Sequence, residues 1–256
     1  MARFKVGVQL EPQDCTIDEL RRAWRDADEM GADSIWTWDH FFPLHGDPDG
    51  AHFEGWSLLG AMACDTRRAS IGVLVTCNSY RSPDMLADMA RTVDHLSGGR
   101  VILGLGAGWC ERDYEEYGFE FGTVASRLEA LEQGIVRIEA RLARLNPPPR
   151  GPLPLLIGGE GERITLRLTA EHADMWNGFG PIERFTHKNS VLNDWCHVVG
   201  RDPSAIERTV LLNQSRDAEH IDAFLGAGAQ HLLVPARAPF DLGELDRLLL
   251  LAKEGG

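Results

Sequence analysis

Short apolar runs alternate with longer stretches in which apolar residues recur every three or four positions, and the rhythm holds along the whole chain. The runs predict strands at Lys5–Leu10, Ser34–Trp38, Ser70–Thr76, Val101–Gly106, Leu153–Ile157, Asp174–Asn177, Thr209–Leu212 and Gln230–Val234. Every gap between them is long enough for a crossover helix. Thr16 with Glu19 reads as a capping box; Ile17, Leu20, Trp24, Ala27 and Met30 then keep to one face until Gly31. Ser82-Pro83 supplies a cap and a first-turn proline, followed by the stripe Leu86, Met89, Val93 and Leu96 and the stop Gly98-Gly99. Leu128, Leu131, Ile135, Ile138, Leu142 and Leu145 repeat the pattern up to Pro147-Pro148-Pro149. Asp217 and Asp241 are the expected caps of the last two helices.

Alternating strands and helices with right-handed crossovers leave a doubly wound open sheet or a closed barrel. Eight units in 256 residues favour a single (β/α)8 TIM barrel spanning residues 1–256, since about 250 residues is the usual size of that fold. No linker or low-complexity stretch divides the chain.

Composition narrows the partners. With 43% hydrophobic and 25% charged residues the chain is expected to be an ordered globular protein. A formal net charge of −13 argues against nucleic acid and anionic membranes and leaves a small molecule as the expected partner. An anionic cofactor stays possible, because a local cluster of backbone N–H groups binds phosphate whatever the net charge. Cys15, Cys64, Cys77, Cys110 and Cys196 are scattered and odd in number, which implies neither a disulfide framework nor a zinc cluster. With no signal-peptide pattern and only the short apolar run Leu248–Ala252, a cytoplasmic location is expected.

In a barrel of this kind chemistry gathers at the C-terminal ends of the strands. The second strand ends Trp38-Asp39-His40-Phe41-Phe42, and an Asp-His pair suits proton transfer near neutral pH. A rim histidine without function is the plainer reading. The third strand ends in small and polar residues, Thr76-Cys77-Asn78-Ser79, fit for a pocket wall or an ordinary turn. The fourth gives Gly104-Leu105-Gly106-Ala107-Gly108-Trp109. Its spacing is not the dinucleotide fingerprint, but its backbone can approach a ligand closely. The fifth runs into Gly158-Gly159-Glu160-Gly161 just before a helical pattern near Arg163, an arrangement that favours anions. Trp38, Trp56, Trp109 and Trp176, near the proposed rims, would suit a flat conjugated ring, although each alone reads as core filler.

Together these segments resemble the luciferase-like oxidoreductases (the bacterial luciferase superfamily), in particular their actinobacterial, deazaflavin (coenzyme F420)-dependent subgroup. The strings Trp38-Asp39-His40-Phe41, Leu96-Ser97-Gly98-Gly99-Arg100 with Leu103 to Trp109, and Leu156-Ile157-Gly158-Gly159 with Gly161-Glu162 carry the likeness. The resemblance implies a ring lying across the strand ends, with Asp39 hydrogen-bonded to it and His40 as the acid/base. It implies a non-prolyl cis peptide at Leu74-Val75, cofactor contacts at Leu74, Val75, Thr76 and Asn78, and a phosphate on the amides of Gly106, Ala107, Gly108, Gly158 and Gly159. Trp38, Phe42, Trp56, Trp109 and Trp176 are the expected substrate pocket, no metal is expected, and a homodimer is the usual form of such relatives.

Two departures stand out. Trp109 occupies the place of the catalytic glutamate of sugar-phosphate dehydrogenases in this group. The usual hairpin insertion before the fifth strand is missing, only Asn146 to Pro152 joining helix to strand. That loss predicts a more open rim and favours simple hydride transfer over oxygen chemistry. The readings are therefore hydride transfer between the deazaflavin and a small organic substrate, an FMN-dependent monooxygenase, and a non-catalytic flavin- or deazaflavin-binding barrel.

Overall fold

The structure, a computed structural model, describes residues 2–212 and 220–254. Its strands are β1 (Lys5–Leu10), β2 (Ser34–Thr37), β3 (Ser70–Val73), β4 (Thr76–Cys77), β5 (Val101–Gly106), β6 (Leu155–Gly158), β7 (Met175–Phe179), β8 (Glu207–Leu211) and β9 (His231–Ala236). All pair in parallel, β1 lies between β2 and β9, and a β3–β5 pairing closes the ring. Because β3 and β4 are two halves of one broken strand, the result is the expected eight-membered parallel barrel. Its helices are α1 (Ile17–Met30), α2 (Gly55–Asp65), α3 (Pro83–Ser97), α4 (Glu111–Tyr117), α5 (Val124–Leu142), α6 (Thr165–His172), α7 (Ile182–Val199), α8 (Ile221–Gly226) and α9 (Gly243–Glu254).

Local signals account for most boundaries. The Thr16 hydroxyl accepts from the Glu19 amide at 3.2 Å, and the Glu19 carboxylate accepts from the Thr16 amide at 2.7 Å. Gly31 then ends α1 with φ 97°. Pro83 opens α3, but Ser82 makes no side-chain capping bond. Helix α5 starts at Val124, four residues before Leu128 opens the apolar stripe, because Thr123 and Ser126 form a reciprocal cap there. Asp241 accepts from the Gly243 amide at 2.9 Å at the start of α9, whereas Asp217 lies outside the described residues. The fifth barrel strand begins at Leu155 rather than Leu153, which has φ 48°. Strand β8 begins at Glu207, two residues before the apolar run, because Arg208 is buried among the Asn189, Asn193, Pro203 and Ile206 oxygens.

The break in the third strand shapes the mouth. Ile71 pairs with Val101 and Thr76 with Leu105, so the third strand spends one residue more than its neighbour between those points. The extra length holds the cis peptide Leu74-Val75, where the resemblance put it. There the Gln9 side-chain amide donates to the Leu74 carbonyl at 3.0 Å. The bulge throws the Val75 side chain across the neighbouring strands: a Cβ on Gly106 would meet Val75 Cγ2 at 2.7 Å, and one on Gly158 would meet Val75 Cγ1 at 2.8 Å.

Apolar packing divides into two main layers and a small third cluster of Cys77, Tyr80 and Tyr114. Trp36, Leu74, Ile102, Leu156, Met175 and Leu233 fill the barrel, while a larger cluster lies between the strands and the helices. Opposite the mouth, Lys5 pairs with Glu207 at 2.7 Å, and Glu207 with His231 at 3.0 Å, joining β1, β8 and β9. The short connection from α5 to β6 also lies at this end, where Pro152 and Pro154 line a recess with Lys5, Ser70, Glu207 and His231. This corrects the expectation of an opened rim. A helix-to-strand link in a parallel barrel returns to the N-terminal ends of the strands, so shortening it does not uncover the mouth.

Candidate active site at the barrel mouth

A cavity of about 290 Å³ opens at the C-terminal ends of the strands. Leu74 and Val75 line it with Asp39 and His40, as do both glycine turns, Gly106-Ala107-Gly108 and Gly158-Gly159, and Trp109. The two turns, fifty residues apart in sequence, therefore share one wall system.

Asp39 is nearly fully buried and doubly engaged. Arg81 donates to its two carboxylate oxygens at 2.7 and 2.9 Å, and the Cys77 amide donates at 2.9 Å. Burial presses this carboxyl above its ordinary range, while Arg81 and the Cys77 amide pull the other way. His40 is held from the side: its Nδ1 lies 2.6 Å from Asp113 Oδ2. Asp113, with no exposed surface, also accepts from the Phe41 amide at 3.1 Å and the Tyr80 hydroxyl at 3.0 Å. Burial works against the charged imidazole, but Asp113 and the neighbouring Cys110 outweigh it and raise the His40 pKa to about 9. For Asp113, burial would raise the pKa, yet His40, the Phe41 amide and Tyr80 hold it below the usual carboxylate range. With Nδ1 committed, Nε2 is the ring nitrogen left for a ligand. The ring itself packs edge-on against Trp38 and Trp109, at 5.9 and 5.3 Å between centroids.

Among the described residues, the hydrogen bonds that join loops and turns use none of the amides of Ala107, Gly108, Gly159 and Gly161. Gly159 has φ 126° and Gly108 φ 81°, conformations that favour glycine. Gly108 is constrained further, since a Cβ there would meet the Tyr114 hydroxyl at 2.0 Å. The second turn leads into α6, which has no side-chain cap, and Thr165 at its start lines the cavity. Nearby acids are neutralised: Glu160 pairs with Arg184, and Glu162 with Lys188 and His187. The wall thus presents uncommitted backbone donors and no free carboxylate charge at these turns, the electrostatic form of an anion seat.

Six expected site residues do not reach the cavity wall. Thr76 is fully buried and bonded to Trp56 Nε1 at 3.2 Å, and Trp56 packs between barrel and helices. Asn78 points at α5, donating to the Ala130 carbonyl at 3.0 Å against Gly134. Trp38 is buried and donates to His52 Nε2 at 2.9 Å; Phe42 lies under the Arg112 guanidinium. Trp176 faces outward onto Phe185, although its indole donates to the Gly159 carbonyl at 2.9 Å and so braces that turn. Strand alternation explains the last case: Met175 fills the barrel, Asn177 and Phe179 line the cavity, and Trp176 between them points the other way. The same alternation was the signal by which Asn177 and Phe179 could have been chosen. Cys77, Tyr80, Thr165 and Leu211 also line the cavity. Asp113 carried no signal, being one acid among several in Glu111–Tyr117.

Comparison with known proteins agrees with this architecture. The family model described as luciferase-like monooxygenase matches residues 1–220. An F420-dependent glucose-6-phosphate dehydrogenase of Amycolatopsis mediterranei is 27% identical over 240 residues, covering 85% of this chain and 71% of that protein. A phthiodiolone/phenolphthiodiolone dimycocerosates ketoreductase of Mycobacterium bovis is 28% identical over 238 residues, covering 77% of this chain; the match spans 62% of that longer protein. Among solved structures, an F420-dependent secondary alcohol dehydrogenase in complex with an F420-acetone adduct superposes with a TM-score of 0.82 at 16% identity. That match covers 94% of this chain and 96% of the other, a likeness of fold.

Proposed function

We propose, from the premise that this chain belongs to the luciferase-like monooxygenase family, that it is an oxidoreductase binding the deazaflavin coenzyme F420 and acting on a small organic substrate. The observation that carries the reading is one cavity shared by two glycine turns with uncommitted amides and by the Asp113-braced His40. The relatives named for F420 support the choice of cofactor. The residues fit it: the turns and the uncapped start of α6 offer an anionic tail its donors, and Leu74, Val75 and Leu211 offer a flat ring apolar contact.

When bound, the deazaflavin supplies a hydride donor or acceptor. The uncommitted amides of Ala107, Gly108 and Gly159 would hold the tail, while Gly106 and Gly158, paired in their strands, would let it approach the backbone closely. Asp39, fixed by Arg81 and the Cys77 amide, would offer its carboxyl group to the bound cofactor from a position already set. His40 exchanges a proton with the substrate through Nε2, while Asp113 keeps the imidazole in register. Trp109 stands where the resemblance implies the catalytic glutamate of sugar-phosphate dehydrogenases, so a sugar phosphate is not the substrate proposed.

Titration of the purified protein with F420 and with FMN, followed by fluorescence, tests this directly. Saturable F420 binding, tighter than FMN, is expected, with turnover that continues in the absence of oxygen. FMN binding preferentially, with turnover that stops anaerobically, would instead favour the monooxygenase reading that the family description carries.

A further inference from the structure

Cys110 helps to raise the pKa of His40 but carries no step of the chemistry proposed above. It closes the loop after β5 and immediately precedes α4, partly exposed beside the mouth. One ligand atom each from His40, Cys110 and Asp113 lies within 4.8 Å of the other two, the one such group among the described residues. We propose that these three side chains form a binding site for a thiophilic divalent cation, Zn²⁺ in particular, at the barrel mouth. The site goes beyond the cofactor reading and does not depend on which flavin the cavity takes.

The donor set selects the metal. A thiolate and an imidazole favour Zn²⁺ and Co²⁺ over Mg²⁺ and Ca²⁺, which prefer oxygen. Three protein ligands with one position left for water is the arrangement of zinc sites that stay open to exchange. Thiolate and carboxylate together neutralise the dication, so no net charge is placed in this half-buried corner. The carboxylate is already oriented, because the Phe41 amide and the Tyr80 hydroxyl grip Asp113, as outer partners commonly grip metal ligands. His40 lines the cavity and Cys110 is accessible, so an ion has a way in.

Seating the ion requires a small adjustment. His40 Nδ1 and Asp113 Oδ2 are 2.6 Å apart. Ligand atoms bound at about 2.0–2.2 Å to a tetrahedral ion stand about 3.3–3.6 Å from one another, so the pair must part by about 0.7–1.0 Å. The thiol proton of Cys110 and the proton shared by His40 and Asp113 leave to solvent as the bonds form. Once bound, His40 is no longer available as an acid, and the ion acts as a reversible brake on turnover.

Co²⁺ is the probe. Full-length protein, stripped with chelator, is titrated with Co²⁺ while the near-ultraviolet thiolate-to-cobalt band is recorded. One equivalent should saturate the band, and added Zn²⁺ should erase it. Cys110→Ser should weaken Co²⁺ binding at least about 10–100-fold, the loss typical of an outer partner alone. Cys64→Ser, removing an exposed thiol elsewhere, should leave it unchanged. Thermal melts by circular dichroism check that the variants fold; should Cys110→Ser fail, His40→Ala is judged by the same band. Absence of the band in the wild type, or its survival in the folded ligand variant, overturns the site.

Discussion

His40 and Asp113 lie 73 positions apart and meet only because the loop after the second barrel strand folds against α4. The contact fixes Nδ1 of a largely buried imidazole, so that Nε2 is the nitrogen proposed to meet the substrate. If the free nitrogen handles the substrate proton, His40→Ala should lower kcat by about 10²–10⁴-fold and leave F420 affinity within a few fold. Steady-state kinetics beside a fluorescence titration checks both, and unchanged kcat would remove His40 from the mechanism. On the proposed function, Asp113 acts through His40 rather than on the substrate. Asp113→Asn should therefore reduce kcat by about 10–100-fold with little change in KM, because orientation is lost but binding surface is not. Asp113→Glu should recover part of that loss; a drop confined to KM would argue against the positioning role.

Among elements, the broken third strand determines the shape of the floor. Its extra residue turns Val75 inward against Gly106 and Gly158, so those positions are glycine for the sake of the neighbouring strand as well as for any ligand. Gly106→Ala should cost about 1–3 kcal/mol of stability through overpacking. Val75→Ala introduced into the same chain should recover part of it, and urea unfolding of the four members of the cycle measures the coupling. Additive losses would mean the two side chains do not compete for that space. This finding also corrects the simplest view of a glycine-rich turn: the motif reports close approach of backbone, whether the approaching group is a cofactor or another strand.

For the whole molecule, the two ends of the barrel have separate duties. The mouth gathers the candidate chemistry; the opposite end is fastened by charge, with Glu207 bridging Lys5 and His231. Burial would raise the Glu207 pKa, but hydrogen bonds from His231 and Lys5 overcome it and lower the value from 4.5 to about 2. A carboxylate depressed in the folded state contributes stability above its unfolded value and loses it as pH falls through the folded one. The urea midpoint should thus decline between about pH 4.5 and 2, and Glu207→Gln should flatten that part of the curve. An identical acid decline in the variant would assign it to other carboxylates. The short link at residues 143–154 belongs to this end as well, so its length bears on closure of the barrel floor.

The eight-membered barrel, its main helices and the end that holds the candidate site were legible from sequence, because periodicity and capping are local and act over a few residues. So was the placement of Asp39, His40 and the two glycine turns around one cavity, since they sit at strand ends whose direction the fold class already sets. What the residue order left open were the contacts made across the fold. Arg81 on Asp39, Asp113 behind His40, Val75 against the glycines and the outward turn of Trp176 all depend on which elements come to lie side by side. A side chain's partners, and with them its charge and reach, are settled only when the ring closes, for burial and distance are properties of packed neighbours and not of positions along a chain.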